Sequence, residues 1–258
     1  MFFRPVYWQF KKVFHQLLNR KLLTVLTLLI STGLLIAFSC FSENAVFGEQ
    51  NILITLNQNT HPLPPSLENW QDKNNSGDYF DQIQPTKHGY LIWSNFPIKV
   101  NIQTPTNINQ QQAQTWVNQV SQTVMEWNNY LPLEIIENPE NADIKISRQR
   151  PPLQIDPQTK VSRARSALTT YEVYTKDNIL SHRFTILLSP SQTGEYLKSA
   201  ARHEMGHALG IWGHSLLQTD ALYFSQVREP VAISHRDVNT LKKVYQQSTN
   251  LGWKQVEN

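Results

Sequence analysis

Three histidines and one glutamate near residue 200 have the types and spacing needed for metal chemistry. Residues 203–207 read H-E-x-x-H, and His214 follows seven residues after the second histidine. On an α-helix, side chains four residues apart project from the same face, so His203 and His207 can direct two imidazoles at one metal ion. Glu204 lies beside them as a candidate general base. The pattern predicts a Zn²⁺ site with His203, His207 and His214 as ligands and Glu204 as the catalytic residue.

This ligand set indicates the chemistry. Three neutral imidazoles leave zinc a fourth coordination position for water, which distinguishes a catalytic site from a closed structural one. Zinc lowers the pKa of that water towards about 7, so Glu204 can take its proton while the hydroxide attacks a peptide carbonyl. The same carboxylate can then pass the proton to the leaving amine. The sequence therefore predicts a zinc-dependent endopeptidase.

The charge of the chain is unevenly distributed. The net charge is +3, but residues 1–21 contain five basic residues and no acidic ones, which leaves −2 for the remainder. The globular part therefore lacks the basic surface that binds nucleic acid, and no nucleic-acid partner is expected. A single cysteine, Cys40, excludes an internal disulfide and a cysteine-based zinc site.

Residues 22–41 are uncharged and mostly apolar. A helix of this length spans about 30 Å, the thickness of a bilayer core. We interpret the segment as a retained transmembrane signal-anchor with residues 1–21 as a basic cytoplasmic tail. A cleaved secretory signal and a lipoprotein signal ending at Cys40 are the alternatives. All three place the catalytic region outside the cytoplasm, anchored to the membrane or secreted.

Residues 42–90 are rich in Asn, Gln, Pro, Ser and Asp. This composition is typical of a linker, so we predict a linker, stalk or pro-segment containing one short strand at residues 52–56. The catalytic domain is predicted to span residues 91–250. A C-terminal tail follows at residues 251–258.

Hydrophobic periodicity predicts the elements that position the motif. In chain order they are a strand around residues 98–102, a helix around 113–127, short strands at 133–136 and 143–147, and two strands at 166–175 and 183–189 joined by a turn that starts at Lys176. The motif helix is expected to begin near Ser191 or Thr193 and to end at Leu209. A last helix is predicted at residues 235–247.

The order of these elements resembles the catalytic domain of a metzincin, in the matrixin-like branch that has bacterial secreted and membrane-tethered members. The segments that carry the resemblance are residues 142–146, 184–189, 203–215 and 220–224. The resemblance covers about residues 90–250. It implies an α+β fold, with a twisted mixed β-sheet packed on two long helices plus a C-terminal helix. It also implies a three-histidine zinc site and a monomeric catalytic domain that hydrolyses protein or peptide substrates.

The position of the third histidine departs from the family pattern. The family places it six residues after the second histidine, where this chain has Gly213, and His214 comes one residue later. Glycines on both sides of this turn allow an extra residue to be looped out without strain. We therefore keep His214 as the third ligand. Asp220 and Glu229 are the alternatives.

A second departure concerns the methionine turn that lies beneath the zinc in the family. Leu222-Tyr223 occupies that place here, or Tyr223-Phe224 if the alignment is shifted by one residue. Leucine can replace methionine as an apolar floor of similar volume. Tyr223 is either a packed core residue, which we favour, or a hydrogen-bond donor to the reaction oxyanion.

The last helix contributes a further carboxylate. Ser234 and Asp237 resemble a capping box, and Asp237 also matches a residue that, in matrixins, hydrogen-bonds beneath the active site. The loop at residues 225–234 is expected to form one wall of the substrate pocket on the leaving-group side. The remaining histidines are not expected to bind metal: His15, His61, His88, His182 and His235.

Two other functions compete with an exported protease. A pseudo-protease, in which zinc only stabilises a binding module, is favoured by the altered methionine turn and disfavoured by the presence of Glu204. An intramembrane protease is excluded because Glu195, Lys198 and Arg202 lie on the motif helix, where burial in lipid is costly.

Overall fold

The computed structural model describes residues 59–155, 158–227 and 229–255. The predicted basic tail, the apolar segment at residues 22–41 and the predicted strand at 52–56 lie outside these ranges. Within them, no helix combines the length and the apolar character needed to cross a bilayer.

Five of the nine strands in the described ranges form one mixed sheet. The strands are β1 (Asn59–Thr60), β2 (Ile98–Ile102), β3 (Leu133–Ile135), β4 (Ile144–Arg148), β5 (Gln154–Ile155), β6 (Ser162–Arg163), β7 (Ala167–Lys176), β8 (Ile179–Leu188) and β9 (Ser248–Thr249). The main sheet has the order β3-β2-β4-β8-β7. Its first four strands are parallel, and β7 runs antiparallel to β8 at the edge. The fold is therefore mixed α/β, as the resemblance implies at this coarse level.

Strand β2 follows the alternation read from the sequence except at Asn101, which is buried because its side-chain amide donates to the carbonyls of Ile136 and Glu137. Ile98 and Val100 are fully buried, whereas Lys99 between them is exposed. The β7–β8 hairpin turns at Asp177 and Asn178, whose φ angles are 51° and 60°. Two successive positive φ values match the right-handed twist of paired strands, and Asp and Asn tolerate them better than most residues. The predicted turn after Lys176 is confirmed.

Four α-helices accompany the sheet in the described part of the chain. They are α1 (Pro65–Glu68), α2 (Gln110–Trp127), α3 (Gly194–Ala208) and α4 (His235–Tyr245). The buried side of α2 includes Trp116, Val120, Val124 and Trp127, spaced as a helical stripe requires. The indole of Trp127 donates a 3.0 Å hydrogen bond to the carbonyl of Arg202. This contact joins the first long helix to α3, the helix that carries the histidines.

The C-terminal helix α4 begins with the predicted capping box. The Ser234 hydroxyl accepts from the backbone N–H of Asp237, and the Asp237 carboxylate accepts from the backbone N–H of Ser234. Val238, Leu241 and Val244 are fully buried on its inner face.

Residues 59–90, which the composition predicts to be part of a linker, pack into the domain. Leu67, Tyr79 and Ile83 are buried in the main core. Strand β1 pairs with β9 near the C-terminus. These apolar side chains are separated by turns and prolines and follow no period of 2 or 3.6, so the composition concealed their burial. The domain therefore begins earlier than residue 91.

The predicted C-terminal tail is also ordered where the structure describes it. Leu251 is fully buried, and the Trp253 ring stacks on His61 with centroids 4.3 Å apart. The backbone N–H of Leu180 donates to the carbonyl of Trp253. Residues 251–255 therefore belong to the domain.

Candidate metal centre

Two of the three predicted ligands lie on successive turns of α3. The rings of His203 and His207 have centroids 4.7 Å apart, and their Nε2 atoms are separated by 3.1 Å. His207 is buried and His203 is half-buried. The four-residue spacing thus brings two imidazole nitrogens to one point at the end of the helix.

His214 reaches the same point through a bend that requires two glycines. Gly210 has a φ of +120°, and a Cβ there would lie 2.6 Å from the carbonyl oxygen of Leu91. A Cβ on Gly213 would lie 2.3 Å from the carbonyl oxygen of Gln82. The bend therefore passes against backbone that no side chain could displace.

The three histidines form one cluster. The ring of His214 lies 5.2 Å from that of His203 and 4.8 Å from that of His207, between centroids. One ligand atom from each residue falls within 4.8 Å of the other two, close enough to bind one metal ion. The looped-out residue at 213 therefore leaves His214 within reach of the other two histidines.

The hydrogen bonds of the two helical histidines determine which nitrogens are free. Nδ1 of His203 lies 2.9 Å from the carbonyl oxygen of Ala221, and Nδ1 of His207 lies 2.8 Å from that of Ile211. A carbonyl oxygen can only accept, so each ring donates from Nδ1 and a neutral ring has a bare lone pair on Nε2. Two such lone pairs 3.1 Å apart repel each other, and a cation bound by both removes the repulsion.

The surroundings keep these rings neutral. Burial, together with a smaller contribution from the neighbouring His207, lowers the pKa of His203 to about 3. Burial and His214 lower the pKa of His207 to about 4. Burial also lowers the pKa of His214. Neutral imidazoles are the form that binds metal ions.

Glu204 lies in the same cleft. Its side chain is 8 % exposed, and the Thr169 hydroxyl on β7 donates a 2.6 Å hydrogen bond to its Oε2 atom. Burial raises the pKa of the carboxyl, while His203 and the hydrogen bond from Thr169 oppose that rise. An elevated pKa is typical of a carboxylate that exchanges protons near neutral pH.

A turn beneath the helix forms the floor of the site. Leu222 is fully buried under Gly206. The Asp237 carboxylate accepts hydrogen bonds from the backbone N–H of Ala221 at 2.9 Å and from the Tyr79 hydroxyl at 2.6 Å. Asp237 therefore fulfils both roles considered for it, since it caps α4 and also holds the turn whose Ala221 carbonyl orients His203.

The other candidate ligands are engaged elsewhere. Asp220 is buried and accepts hydrogen bonds from Ser215, Ser234 and Arg236. Glu229 is exposed and is outside the metal-binding group found among the described residues. Neither Asp220 nor Glu229 joins the histidine cluster.

The cleft that contains the histidines has a volume of about 900 Å³. Tyr223 is half-buried on its wall, and its ring lies 4.5 Å from that of Phe224. Ser225, Gln226, Val227 and Val231 from the predicted pocket loop also line it.

Two residues that bear on the site were missed by the sequence reasoning. Thr169 contacts Glu204 from 35 positions away, and Gln82 lies against Gly213 from a still more distant segment. No local pattern marks either, because Thr is common on strands and Gln82 acts through its backbone oxygen.

Comparison of the chain with protein-family models and with curated proteins gave no match. The functional conclusion therefore rests on the geometry of the cleft.

Proposed function

We propose that this protein is a zinc-dependent endopeptidase with Glu204 as the general base. The observation that carries the proposal is the pair of Nε2 atoms of His203 and His207, which face each other at 3.1 Å with their Nδ1 atoms committed to carbonyls. This arrangement is stable with a cation between the rings and unfavourable without one.

The donor set fits zinc. Three neutral imidazoles with no thiolate suit a borderline metal ion, and three protein ligands are typical of catalytic rather than structural zinc. The carbonyls of Ala221 and Ile211 supply the outer hydrogen bonds that orient metal-bound histidines in proteins. When bound, zinc would supply Lewis acidity towards water and the substrate carbonyl.

Glu204 would carry the proton in this reaction. Its carboxylate takes a proton from the attacking water while the water oxygen bonds to the carbonyl carbon of the peptide. It then delivers the proton to the leaving nitrogen as the C–N bond breaks, so water is consumed and an acid and an amine are formed. The Thr169 hydroxyl holds one carboxylate oxygen and thereby fixes the direction of the other.

Three further features support a metzincin-like assignment within this proposal. The mixed sheet has one antiparallel edge strand, β7, next to the histidine helix. Leu222 fills the floor position, and Asp237 holds the turn from below. These are the parts that the matrixin-like resemblance implies.

We propose that the catalytic domain acts outside the cytoplasm on protein or peptide substrates. Residues 22–41 would anchor it to the membrane as a single helix, and residues 1–21 would remain in the cytoplasm.

The experiment measures metal content and peptide cleavage on the same preparations. Full-length protein purified in detergent is expected to contain one zinc per chain by mass spectrometry and to cleave a peptide library. A chelator should abolish cleavage, and added zinc should restore it.

Variants separate an enzyme from a zinc-stabilised binding module. Glu204→Gln should retain zinc and lose turnover, by about 10²-fold or more if Glu204 is the proton carrier. Glu195→Gln on the exposed part of the same helix is the matched control and should behave like the wild type. Zinc binding with no cleavage by the wild type would instead favour the binding module.

A further inference from the structure

Two arginines line the cleft beside the proposed catalytic residues. Arg163 ends β6, and Arg165 lies just before β7, on the same cleft wall as Ala167 and Thr169. Pairing with β8 continues through this stretch, because the backbone N–H of Ser189 donates to the carbonyl of Ser166. Alternate residues of extended chain face the same side, so Arg165 shares the face of Thr169, which contacts Glu204.

The Arg165 guanidinium makes no hydrogen bond to an acceptor within the described ranges. Its Nε atom is buried and makes no hydrogen bond in the described parts of the chain. Neither Arg163 nor Arg165 forms an ion pair within residues 59–155, 158–227 and 229–255. A buried donor without a partner is costly, and the cost is larger for a charged group. Such a donor in an open cleft indicates a ligand that supplies the acceptor.

The acidic side chains of the cleft wall do not meet this need. Asp220 is held by Arg236 and two serines, and Glu204 is held by Thr169. The charge of Arg165 lowers the pKa of Glu204, but within the described lining neither arginine forms an ion pair or a hydrogen bond with a carboxylate.

We propose that Arg165 binds a carboxylate of the peptide substrate, so that the enzyme prefers substrates with an acidic group near the scissile bond. The planar guanidinium matches a carboxylate with two parallel hydrogen bonds. Arg163, exposed on β6, adds positive charge that attracts the same group. The inference deepens the proposed peptidase function and rests on it.

The carboxylate has two possible sources. An Asp or Glu side chain within the substrate would make the enzyme an endopeptidase with acidic specificity. The C-terminal carboxylate of a peptide would confine cleavage to the chain end. Arg165 lies four residues of extended chain, about 13 Å, from Thr169, which contacts Glu204. The acidic group would therefore bind beside the scissile bond and not at it.

The test begins by mapping the sites at which the zinc-loaded, full-length wild type cleaves a peptide library. Asp and Glu should be enriched at one position near the cut. Synthetic peptides then compare Asp with Asn at that position, each with a free or an amidated C-terminus. Loss of cleavage on Asp→Asn identifies the side chain as the source, and loss on amidation identifies the chain end.

Variants at Arg165 test the assignment itself. Arg165→Gln should lower the ratio of kcat/KM between the preferred peptide and its counterpart without the identified carboxylate by about ten- to a hundredfold, the usual value of a charged hydrogen bond. Arg165→Lys should retain part of that ratio. Arg150→Gln, which removes an exposed arginine outside the cleft lining, is the control for net charge and should leave the ratio unchanged.

Three results would overturn the inference. The first is cleavage without preference for any carboxylate. The second is an Arg165→Gln variant that shifts the pH profile of kcat while keeping the ratio, since Arg165 would then act on Glu204. The third is a zinc-loaded Glu204→Gln protein that binds all of these peptides, with or without the side-chain or C-terminal carboxylate, equally in fluorescence anisotropy. If the wild type cleaves nothing but this protein favours the Asp peptide, the peptidase proposal fails and carboxylate binding stands.

Discussion

Leu222 lies so close beneath Gly206 that a Cβ added to the glycine would come within 2.6 Å of the leucine Cδ2 atom. Gly206 is one of the three residues between His203 and His207, and Leu222 is fully buried. The absence of a side chain at one position therefore determines how closely the floor of the site approaches the helix.

This contact predicts coupling between the two positions. Gly206→Ala alone should destabilise the fold by about 1–3 kcal/mol through overpacking, less the helix-propensity gain of about 1 kcal/mol. Leu222→Ala alone should cost about 2–5 kcal/mol. In the double variant the new methyl fills part of the cavity, so Gly206→Ala should become stabilising there. Urea unfolding of the four proteins measures this, and strict additivity would contradict it.

Asp237 is predicted to affect metal affinity from below. Asp237→Asn removes the charged acceptor that holds Ala221, whose carbonyl orients His203, so zinc affinity should fall about 10- to 100-fold. Ser234→Ala removes the helix cap and one hydrogen bond to Asp220, and it should cost about 1–2 kcal/mol of stability with zinc affinity retained. Competition with a fluorescent chelator gives the affinities. Equal affinity in Asp237→Asn and the wild type would refute this role.

The N-terminal segment predicts where the chain can be shortened. Removal of residues 1–84 deletes Leu67, Tyr79 and Ile83, each worth about 1.5–3 kcal/mol when buried. That loss is a large part of a typical stability of about 5–15 kcal/mol, so the shortened protein should not fold. A chain that begins at residue 57 keeps these contacts and should fold. Circular dichroism and limited proteolysis distinguish the two, and a cooperative transition in the shorter protein would contradict the prediction.

We expect His182, which lies outside the histidine cluster, to make the free energy of unfolding sensitive to acid. It is buried against Trp93 at 4.0 Å between centroids, and burial lowers its pKa to about 3. Its Nε2 has no hydrogen-bond partner among the residues that the structure describes. The unfolded chain binds a proton below about pH 6.5 while the folded chain does not, so stability falls as pH falls through this range. Between pH 6.5 and pH 5 the loss should be about 2 kcal/mol.

The measurement compares urea unfolding of the wild type and His182→Phe at both pH values. The variant keeps an aromatic ring against Trp93 and should lose about 2 kcal/mol less stability than the wild type on acidification. The metal ligands are the same in both proteins, so their titration cancels in the difference. An equal loss in both proteins would show that residue 182 does not titrate on unfolding.

The sequence was informative where structure is local and periodic. The alternation of apolar and polar residues predicts the strand Ile98–Ile102, and a helical stripe of apolar residues predicts the helix Gln110–Trp127. The spacing of Ser234 and Asp237 predicts the capping box. The convergence of His203 and His207 is a property of one helix and needs no tertiary information.

The parts that could not be predicted depend on contacts distant in sequence. Spacing alone left His214, Asp220 and Glu229 as alternative third ligands, because the path of the bend after α3 is determined by Leu91 and Gln82. The burial of residues 59–90 has the same origin. Isolated apolar side chains in a polar segment become core only when the rest of the domain provides their surroundings.

The pairing of β1 with β9 brings the two ends of the domain together. Asn59 and Thr249 are cross-strand partners. His61, which directly follows β1, stacks on Trp253, which lies four residues after β9. A unit whose entry and exit lie side by side can be inserted into a surface loop of another protein, or cut and rejoined in a new order, with a short connector. This domain is therefore suited to insertion, as one unit that carries the histidine cluster, into an unrelated protein.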